Sequence, residues 1–310
     1  MTGMIDWIRT QLAAESSTRG MAITRVGLMA VVLYRVLHPL NPHRVLLDEA
    51  QPLIALLVVA AALGFVGYRS RVTVPLAALT FVYMNISFGF FEDLRMFKRG
   101  VQLSHALLAL SFMPSGRSFS VDRYLSVRRA RRRGEEVPPE SGPAWAVWML
   151  AIGLSAMYFW AAYDKMDAAW FRGERIDRLW MWTYGSSDSY GQYPILMRWG
   201  TRFSAVAVTV LELVLAVGLL IPRARGYVVP VGIFLHLSIW ALLGVWPFTI
   251  SCIACYAALA PAEALHRWLD GLREAPTQEA GVRASTRTLW LRPVVGILFL
   301  AWCWQGPLRA

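Results

Sequence analysis

Long apolar segments recur along the whole of this chain, and they constrain its fold more than any other feature of the sequence. A helical run of about 17 or more apolar residues reaches across a hydrocarbon core about 30 Å thick. The chain has 310 residues, of which 56% are hydrophobic and 16% charged, so its apolar surface exceeds what one soluble core can bury. We therefore predict an all-α fold, a polytopic integral membrane helical bundle whose main partner is the lipid bilayer.

Nine segments qualify as transmembrane or re-entrant helices by their apolar length. They are residues 22–38, 51–67, 72–90, 101–113, 144–163, 204–221, 227–247, 249–262 and 288–304. The fourth and eighth are short, so each fits a half-span, a re-entrant segment or a helix buried by its neighbours. We expect about eight or nine such helices in a single domain over residues 1–310, without an extramembrane domain after the last one.

The basic residues lie between the apolar segments, and their distribution predicts the orientation of the chain. The net charge is +11, and the strongest positive cluster lies in residues 114–143. We predict that this loop and the N-terminus are cytoplasmic, in the plasma (inner) membrane. Within it, Arg128 to Gly142 is charged and contains two prolines, which indicates a mobile segment. Residues 164–203 are rich in tryptophan and tyrosine suited to a membrane interface, and we predict that they fold over the outer face.

The sequence lacks the patterns typical of nucleic-acid binding, of disulfide frameworks and of common soluble enzymes. The basic residues neither line a helix face nor alternate with stacking aromatic residues, so nucleic acid is not expected as a partner. The chain has only three cysteines, too few for the disulfide framework of a small secreted domain. Metal-ligand clusters, Walker loops, dinucleotide glycine fingerprints and nucleophile elbows are also missing from suitable sequence contexts, so no metal site is predicted.

Four ionisable residues within or beside the apolar segments are candidates for function. Such side chains are costly in a membrane unless they are paired or hydrated. They are His105, Lys165, Glu212 and His236. The predicted orientation places the first three in the outer halves of their segments or just beyond, and His236 nearer the middle. We predict that all four converge on one cavity that opens outward.

Lys165 is the most specific of these candidates, because the chain otherwise uses lysine only at position 98. Burial can drive an ammonium group toward its neutral, basic form, whereas a guanidinium group stays protonated. Lys165 is therefore a candidate general base. The alternative is a lysine that extends from a helix end to the membrane interface and pairs with Asp164 or Asp167.

The remaining candidates each have a structural alternative. Glu212 lies between leucines and must be protonated, hydrated or paired, and we expect a histidine or arginine across the bundle as its partner. His105 fits either a proton relay or a hydrogen bond between helices. Cys252 and Cys255 share one helical face, where thiols exchange with a quinone or disulfide, but small residues at this spacing also serve close helix packing.

The segment from Tyr158 to Gly173 resembles the signature of the vitamin K-dependent gamma-carboxylase family, also called the HTTM (horizontally transferred transmembrane) domain. Its pattern is an aromatic residue, small residues, a lysine, and then tryptophan and glycine. Three further parts are similar to the family and follow in its order. They are Phe112 to Asp122, Leu211-Glu212-Leu213 before Ile221-Pro222-Arg223, and Phe234-Leu235-His236 before Trp246-Pro247-Phe248.

This resemblance implies an enzyme that oxidises a reduced quinone to its epoxide. Lys165 would deprotonate a reduced vitamin K or menaquinone-like hydroquinone, which O2 then converts to an epoxide through a strongly basic intermediate. In the family's carboxylase, that intermediate removes a gamma proton from a peptide glutamate before CO2 adds. A peptide or small protein is therefore the expected second substrate.

The hypothesis of a quinone-oxidising enzyme gives roles to the other candidate site residues. Glu212 and His236 would shape the cavity, and His105 would be the proton partner. Trp170 and Phe248 would bind the cofactor. No oligomeric state follows from any of these features.

The sequence also departs from the family's carboxylase. Asp164 stands where that enzyme has a second lysine, and an outer histidine of the family aligns near Arg99. The large extramembrane domain that helps to hold the peptide has no counterpart here. Three functions are therefore open: a carboxylase-like quinone epoxidase, a non-catalytic membrane protein for maturation or export of a peptide toxin, and a thiol-quinone redox protein.

Overall fold

The computed structural model describes residues 10, 14–37, 51–87, 94–184, 194–243 and 245–270, and these residues form twelve helices and two short strands. The helices are α1 (Thr18–Leu37), α2 (Gln51–Val66), α3 (Ser70–Ser87), α4 (Leu94–Ser111), α5 (Val121–Arg133), α6 (Trp145–Tyr163), α7 (Ala168–Phe171), α8 (Glu174–Tyr184), α9 (Pro194–Gly218), α10 (Arg225–Leu243), α11 (Trp246–Leu259) and α12 (Ala262–Asp270). The strands are β1 (Glu15–Ser17) and β2 (Ser141–Pro143), and short 3-10 turns precede α5 and α10.

Four helical stretches in the described ranges are long and apolar enough to cross a membrane. They are Thr18–Leu37, Trp145–Tyr163, Arg198–Gly218 and Pro222–Leu242. Helices α2 and α11 are apolar but shorter. The prediction of a helical membrane protein is therefore supported, whereas a count of eight or nine transmembrane or re-entrant helices is not established. The predicted segment 288–304 lies outside the described residues.

Helix α1 lies in the middle of the bundle and packs against α2, α4 and α11. Glycines on α1 allow the close approach of α11: a Cβ atom at Gly20 would collide with the carbonyl oxygen of Ala257, and one at Gly27 would collide with the side chain of Ala254. Small residues at a helix contact let the two backbones approach, which increases van der Waals contact where lipid gives no hydrophobic driving force. These glycines therefore determine where α11 sits.

The two short predicted segments have different outcomes. The eighth corresponds to α11, a helix of 14 residues most of whose side chains are buried, which fits the interpretation of a helix covered by its neighbours. The fourth corresponds to α4, which begins at Leu94, seven residues before the predicted start of 101. Its first turns contain Arg95, Lys98 and Arg99, and apolar length does not detect charged turns of a helix.

One end of the bundle, called here the arginine-rich end, gathers the basic segments between helices. The guanidinium of Arg25 on α1 donates hydrogen bonds to the carbonyl oxygens of Ser115 and Phe119. The Asp122 carboxylate on α5 accepts hydrogen bonds from the backbone N–H and the hydroxyl of Ser70 at 2.8 and 2.6 Å. These contacts place the segments that follow α2 and α4 beside α1.

Residues 128–142 were predicted to be mobile, and the structure corrects this prediction in part. Helix α5 continues to Arg133, and β2 pairs antiparallel with β1. The Ser120 hydroxyl caps the start of α5 by accepting the N–H of Arg123 at 2.8 Å, and Gly134 ends the helix with a φ of 66°. Caps stabilise a helix whose charged composition otherwise resembles that of a disordered segment. The strand pair also adds a small sheet to the predicted all-α fold.

Residues 164–203 contain α7, α8 and the beginning of α9, so the described part of the predicted outer loop is helical. Trp199 is 63% exposed and suits a membrane interface. Trp170 is only 6% exposed and therefore lies inside the bundle. Tyr190 and Tyr193 lie outside the described residues.

The orientation of the bundle generates a testable prediction. In a variant without native cysteines, we expect Glu174→Cys on α8 to react with an impermeant maleimide in sealed cells, and Glu135→Cys after α5 to react only after lysis. The two positions form a matched pair, because both are exposed glutamates near a helix end. The physical reason is the preference of arginine clusters for the cytoplasmic side. Labelling of Glu135→Cys in sealed cells would contradict the predicted orientation.

Candidate functional site

Lys165 lies in the turn that follows α6 and forms an ion pair with Glu212 on α9. Its Nζ atom is 2.8 Å from Oε1 and 2.9 Å from Oε2 of Glu212, and it also donates to the carbonyl oxygen of Ala161 at 2.9 Å. These three acceptors match the three donors of an ammonium group. The lysine side chain is 18% exposed and the glutamate side chain 8%, so the lysine is the less buried member of the pair.

The pair satisfies the requirement that the sequence places on Glu212. A carboxylate between two leucines in a membrane helix is costly unless a cation or hydrogen-bond donors face it. The prediction that Glu212 is paired is confirmed, but its partner is Lys165 and not the predicted histidine or arginine. Helix α6 packs along α9, and this packing brings the end of α6 to the level of Glu212.

Asp164 and Asp167, predicted as alternative partners of Lys165, interact with Arg175 on α8. The Nη2 atom of Arg175 lies 2.7 Å from Oδ2 of Asp167, and its Nη1 atom lies 4.0 Å from Oδ2 of Asp164. Asp167 also caps α7 by accepting the backbone N–H of Trp170 at 2.8 Å. The aspartates thus fasten α7 and α8, and this part of the sequence-based interpretation is wrong.

Trp170 supports the lysine from the side of α7. Its ring centroid lies 5.4 Å from Nζ of Lys165, which is within the range of a cation–π interaction. Its indole N–H donates to the carbonyl oxygen of Ala205 and to the hydroxyl of Thr209, each at 3.0 Å. Trp170 is buried and positions the amine, and its predicted cofactor-binding role stays a prediction.

The segment between α7 and α8 is held against α9. Gly173 has a φ of 83°, a conformation that favours glycine, and a Cβ atom there would lie 2.5 Å from the hydroxyl oxygen of Thr201. Partial burial raises the pKa of the Asp177 carboxyl group on α8, and a hydrogen bond with Thr201 opposes this shift. Glycine at this turn therefore lets the lysine-bearing segment approach α9 closely.

His236 belongs to a second polar cluster inside the bundle. Its Nε2 atom lies 2.5 Å from the hydroxyl of Tyr158 on α6, and that hydroxyl also bonds to the hydroxyl of Tyr256 on α11. The ring of Phe248 is 5.3 Å from that of His236, and His236 is 1% exposed. A Cβ atom at Gly232 would collide with the Tyr256 ring, so this glycine admits the tyrosine. The cluster joins α6, α10 and α11.

The structure does not bring the four predicted residues into one site. Lys165 pairs with Glu212, whereas His236 bonds to Tyr158, which lies seven residues before Lys165 and hence about 10 Å along the helix axis. His105 lies on α4 and is partly buried. In the described part of the chain, the hydrogen bonds of Lys165, Glu212 and His236 run to residues other than His105. Sequence position alone does not reveal this separation into two clusters.

Two residues of the second cluster, Tyr158 and Tyr256, were not predicted as site residues. Tyr158 had a detectable signal, because a spacing of seven residues places it on the same face of α6 as the lysine-bearing turn. Tyr256 had none, since it follows Cys255 in a segment interpreted as a possible redox helix.

Both Cys252 and Cys255 are completely buried free thiols, which restricts access of an exchange partner. The described residues contain no group of three or more metal-binding side chains.

The Lys165–Glu212 pair generates a prediction about assembly. Glu212→Gln retains an oxygen for the lysine but removes the charge, so we expect a folded protein destabilised by about 1–3 kcal/mol. Glu212→Arg faces Lys165 with a second cation and should not assemble. Thermal unfolding and size-exclusion profiles in detergent measure both effects. Glu263→Arg, an exposed site on α12, is the control for the same charge reversal. Wild-type yield and stability of Glu212→Arg would contradict the burial of this pair.

The comparisons with known proteins agree with this architecture. The family model for the HTTM domain matches residues 32–262, a range that contains both polar clusters and most of the described helices. No curated protein and no solved structure matches the chain. Because the family model covers well over half of the sequence, the chain belongs to the HTTM domain family, as its sequence resemblance predicts.

Proposed function

We propose that this protein is a vitamin K-dependent gamma-carboxylase-like membrane enzyme that oxidises a reduced quinone, with Lys165 as the group that takes the first proton. One observation carries the proposal: a partly exposed amine lies in front of a buried carboxylate, 2.8 and 2.9 Å from its two oxygens. An ammonium group alone cannot accept a proton, but an ammonium bonded to a carboxylate can first transfer one.

The proton balance of the pair supports this role. A proton moves from Nζ of Lys165 to a carboxylate oxygen of Glu212, which leaves a neutral amine and a carboxylic acid. The bound hydroquinone supplies an acidic hydroxyl group and the electrons that reduce O2. Nζ then accepts the hydroxyl proton, so the pair has gained one proton and the ligand has lost one. Arginine at position 165 could not perform the first step, because its guanidinium does not become neutral in proteins, and so it could not accept the hydroxyl proton afterwards.

The surrounding residues fit the positioning of such an amine. The Ala161 carbonyl and the face of Trp170 hold Nζ from two further directions. Trp170 is itself fixed by two hydrogen bonds to α9, so the amine has little freedom to reorient. A reacting group held in one geometry needs less reorganisation during proton transfer. The partners at Lys165 therefore suit a base as well as a structural ion pair.

Further steps of the proposal follow from the family resemblance. The expected co-substrates are O2 for epoxidation and CO2 for carboxylation of a glutamate in a peptide or small protein. Phe248 and His236 lie together in the second cluster, about two helical turns from the lysine along α6. In the proposal the partly buried Phe248 borders the inner part of the ligand path, His236 supports it from behind, and Lys165 acts at the outer end.

The second candidate is a non-catalytic HTTM protein that assists maturation or export of a peptide. The observation that favours it is also the ion pair, because Lys165 and Glu212 connect the end of α6 to α9 and would be required for assembly without any chemistry. The thiol-quinone alternative has less support, since Cys252 and Cys255 are buried on α11.

Lys165→Arg separates the enzymatic from the structural role. The substitution keeps a cation opposite Glu212 and should preserve assembly, whereas it removes the only amine that can become neutral at this position. If Lys165 is the base, we expect epoxidation of reduced vitamin K or menaquinone in lipid nanodiscs under oxygen to fall by about 10²- to 10⁴-fold. Product quinone epoxide is measured by chromatography against wild type.

Lys98→Arg is the matched control, because it makes the same substitution at the other lysine of the chain. Wild-type turnover that persists in Lys98→Arg and is lost in folded Lys165→Arg supports the proposal. Undiminished turnover of Lys165→Arg rules out the lysine as the base. Wild type without turnover on any quinone favours the non-catalytic candidate, and loss of assembly in Lys165→Arg would point to the ion pair as a structural element.

A further inference from the structure

A groove lies at the arginine-rich end of the bundle, far along α6 from Lys165. Its lining includes Glu15, Ser16, Trp148, Arg225, Leu259 and Pro261. The groove has a volume of about 230 Å³ and opens to the surface of the bundle. We call it the Arg225 groove, because this arginine is the buried cation in its wall.

Arg225 is the first residue of α10, and its guanidinium is only partly satisfied. Its Nε atom donates to the carbonyl oxygen of Leu219 at 3.0 Å, and its guanidinium carbon lies 4.7 Å from the ring centroid of Trp148. The residue is 9% exposed, and Nη2 is buried without a hydrogen-bond partner. In the part of the chain that the structure describes, no carboxylate forms an ion pair with Arg225.

Two neighbouring arginines at the same end, unlike Arg225, contact a carboxylate. Arg19 and Arg123 both contact the carboxylate of Glu140, at 2.8 and 3.6 Å. Glu15 lies at the groove, but its carboxylate accepts the hydroxyl of Ser141 at 2.6 Å and is exposed. A buried cation without an anion is unfavourable, and the face of Trp148 compensates the charge without accepting the N–H donors. The unsatisfied donors of Arg225 thus point to an anionic ligand.

We propose that the Arg225 groove binds the phosphate group of a membrane phospholipid. A guanidinium presents paired N–H donors that match phosphate oxygens. Basic pockets between membrane helices on the cytoplasmic side bind anionic lipid headgroups in this manner. This inference does not depend on the proposed reaction at Lys165.

The size and surroundings of the groove favour a lipid headgroup. Sites that enclose drug-sized ligands measure about 300–1,000 Å³, so a groove of about 230 Å³ holds a phosphate with its glycerol and leaves the acyl chains outside. Tyr227 is 81% exposed and Ile221 is 48% exposed, and both lie within four residues of Arg225. Acyl chains that leave the groove can therefore contact apolar surface immediately.

The experiment titrates delipidated protein in detergent with three probes and measures binding by native mass spectrometry. The probes are dioleoylphosphatidylglycerol, dioleoylglycerol with the same acyl chains but no phosphate, and inorganic phosphate. We expect the phospholipid to bind and Arg225→Gln to weaken its binding by about 10- to 100-fold. Arg223→Gln, an exposed neighbour with the same loss of charge, should bind like wild type.

Glu15→Gln tests the site without altering Arg225, whose replacement also removes the hydrogen bond to Leu219. Loss of this negative charge at the groove should strengthen phospholipid binding by about two- to five-fold. Equal binding by wild type and Arg225→Gln would overturn the proposal. Binding of dioleoylglycerol as tightly as the phospholipid, or of inorganic phosphate alone, would overturn the assignment of a lipid phosphate. If Arg225→Gln does not fold, unchanged or weaker binding by Glu15→Gln overturns it.

Discussion

The ion pair between Lys165 and Glu212 places two opposite charges against each other inside a bundle that lipid surrounds. Each charge alone would be unfavourable there. The pair therefore fixes the position of the end of α6 along α9, beside Glu212. This relative position of α6 and α9 also allows the cap of α7 by Asp167 and the hydrogen bond from Trp170 to α9. His236 likewise needs a polar partner on another helix, and it bonds to Tyr158 on α6.

This constraint explains why structure and chemistry are difficult to separate in the bundle. A polar group that is satisfied only by a partner on another helix stabilises the packing of both helices. The same two groups, held at hydrogen-bond distance, can also exchange a proton. Lys165 and Glu212 therefore connect α6 to α9 whether or not a hydroquinone reacts beside them. A substitution that preserves the charge but not the proton chemistry distinguishes the two roles.

The two ends of the bundle have different polar organisation. Near Lys165, aspartates and arginines form local pairs that fasten short helices onto α9. At the arginine-rich end, the guanidinium of Arg25 donates to backbone carbonyl groups of a folded loop, and Asp122 holds the start of α3. Arg225 differs from Arg19 and Arg123, which contact the Glu140 carboxylate, because no carboxylate among the described residues pairs with it. The proposed lipid phosphate would supply this missing anion.

The sequence by itself determined the class of the protein and its family. Apolar length and loop charge are local properties, and motif order along the chain is enough to identify the HTTM domain. Only the tertiary structure decided the partners: Glu212 meets Lys165 across 47 positions, and His236 meets Tyr158 across 78. Such partners depend on the rotation and register of packed helices, and hydrophobic length contains no information about either.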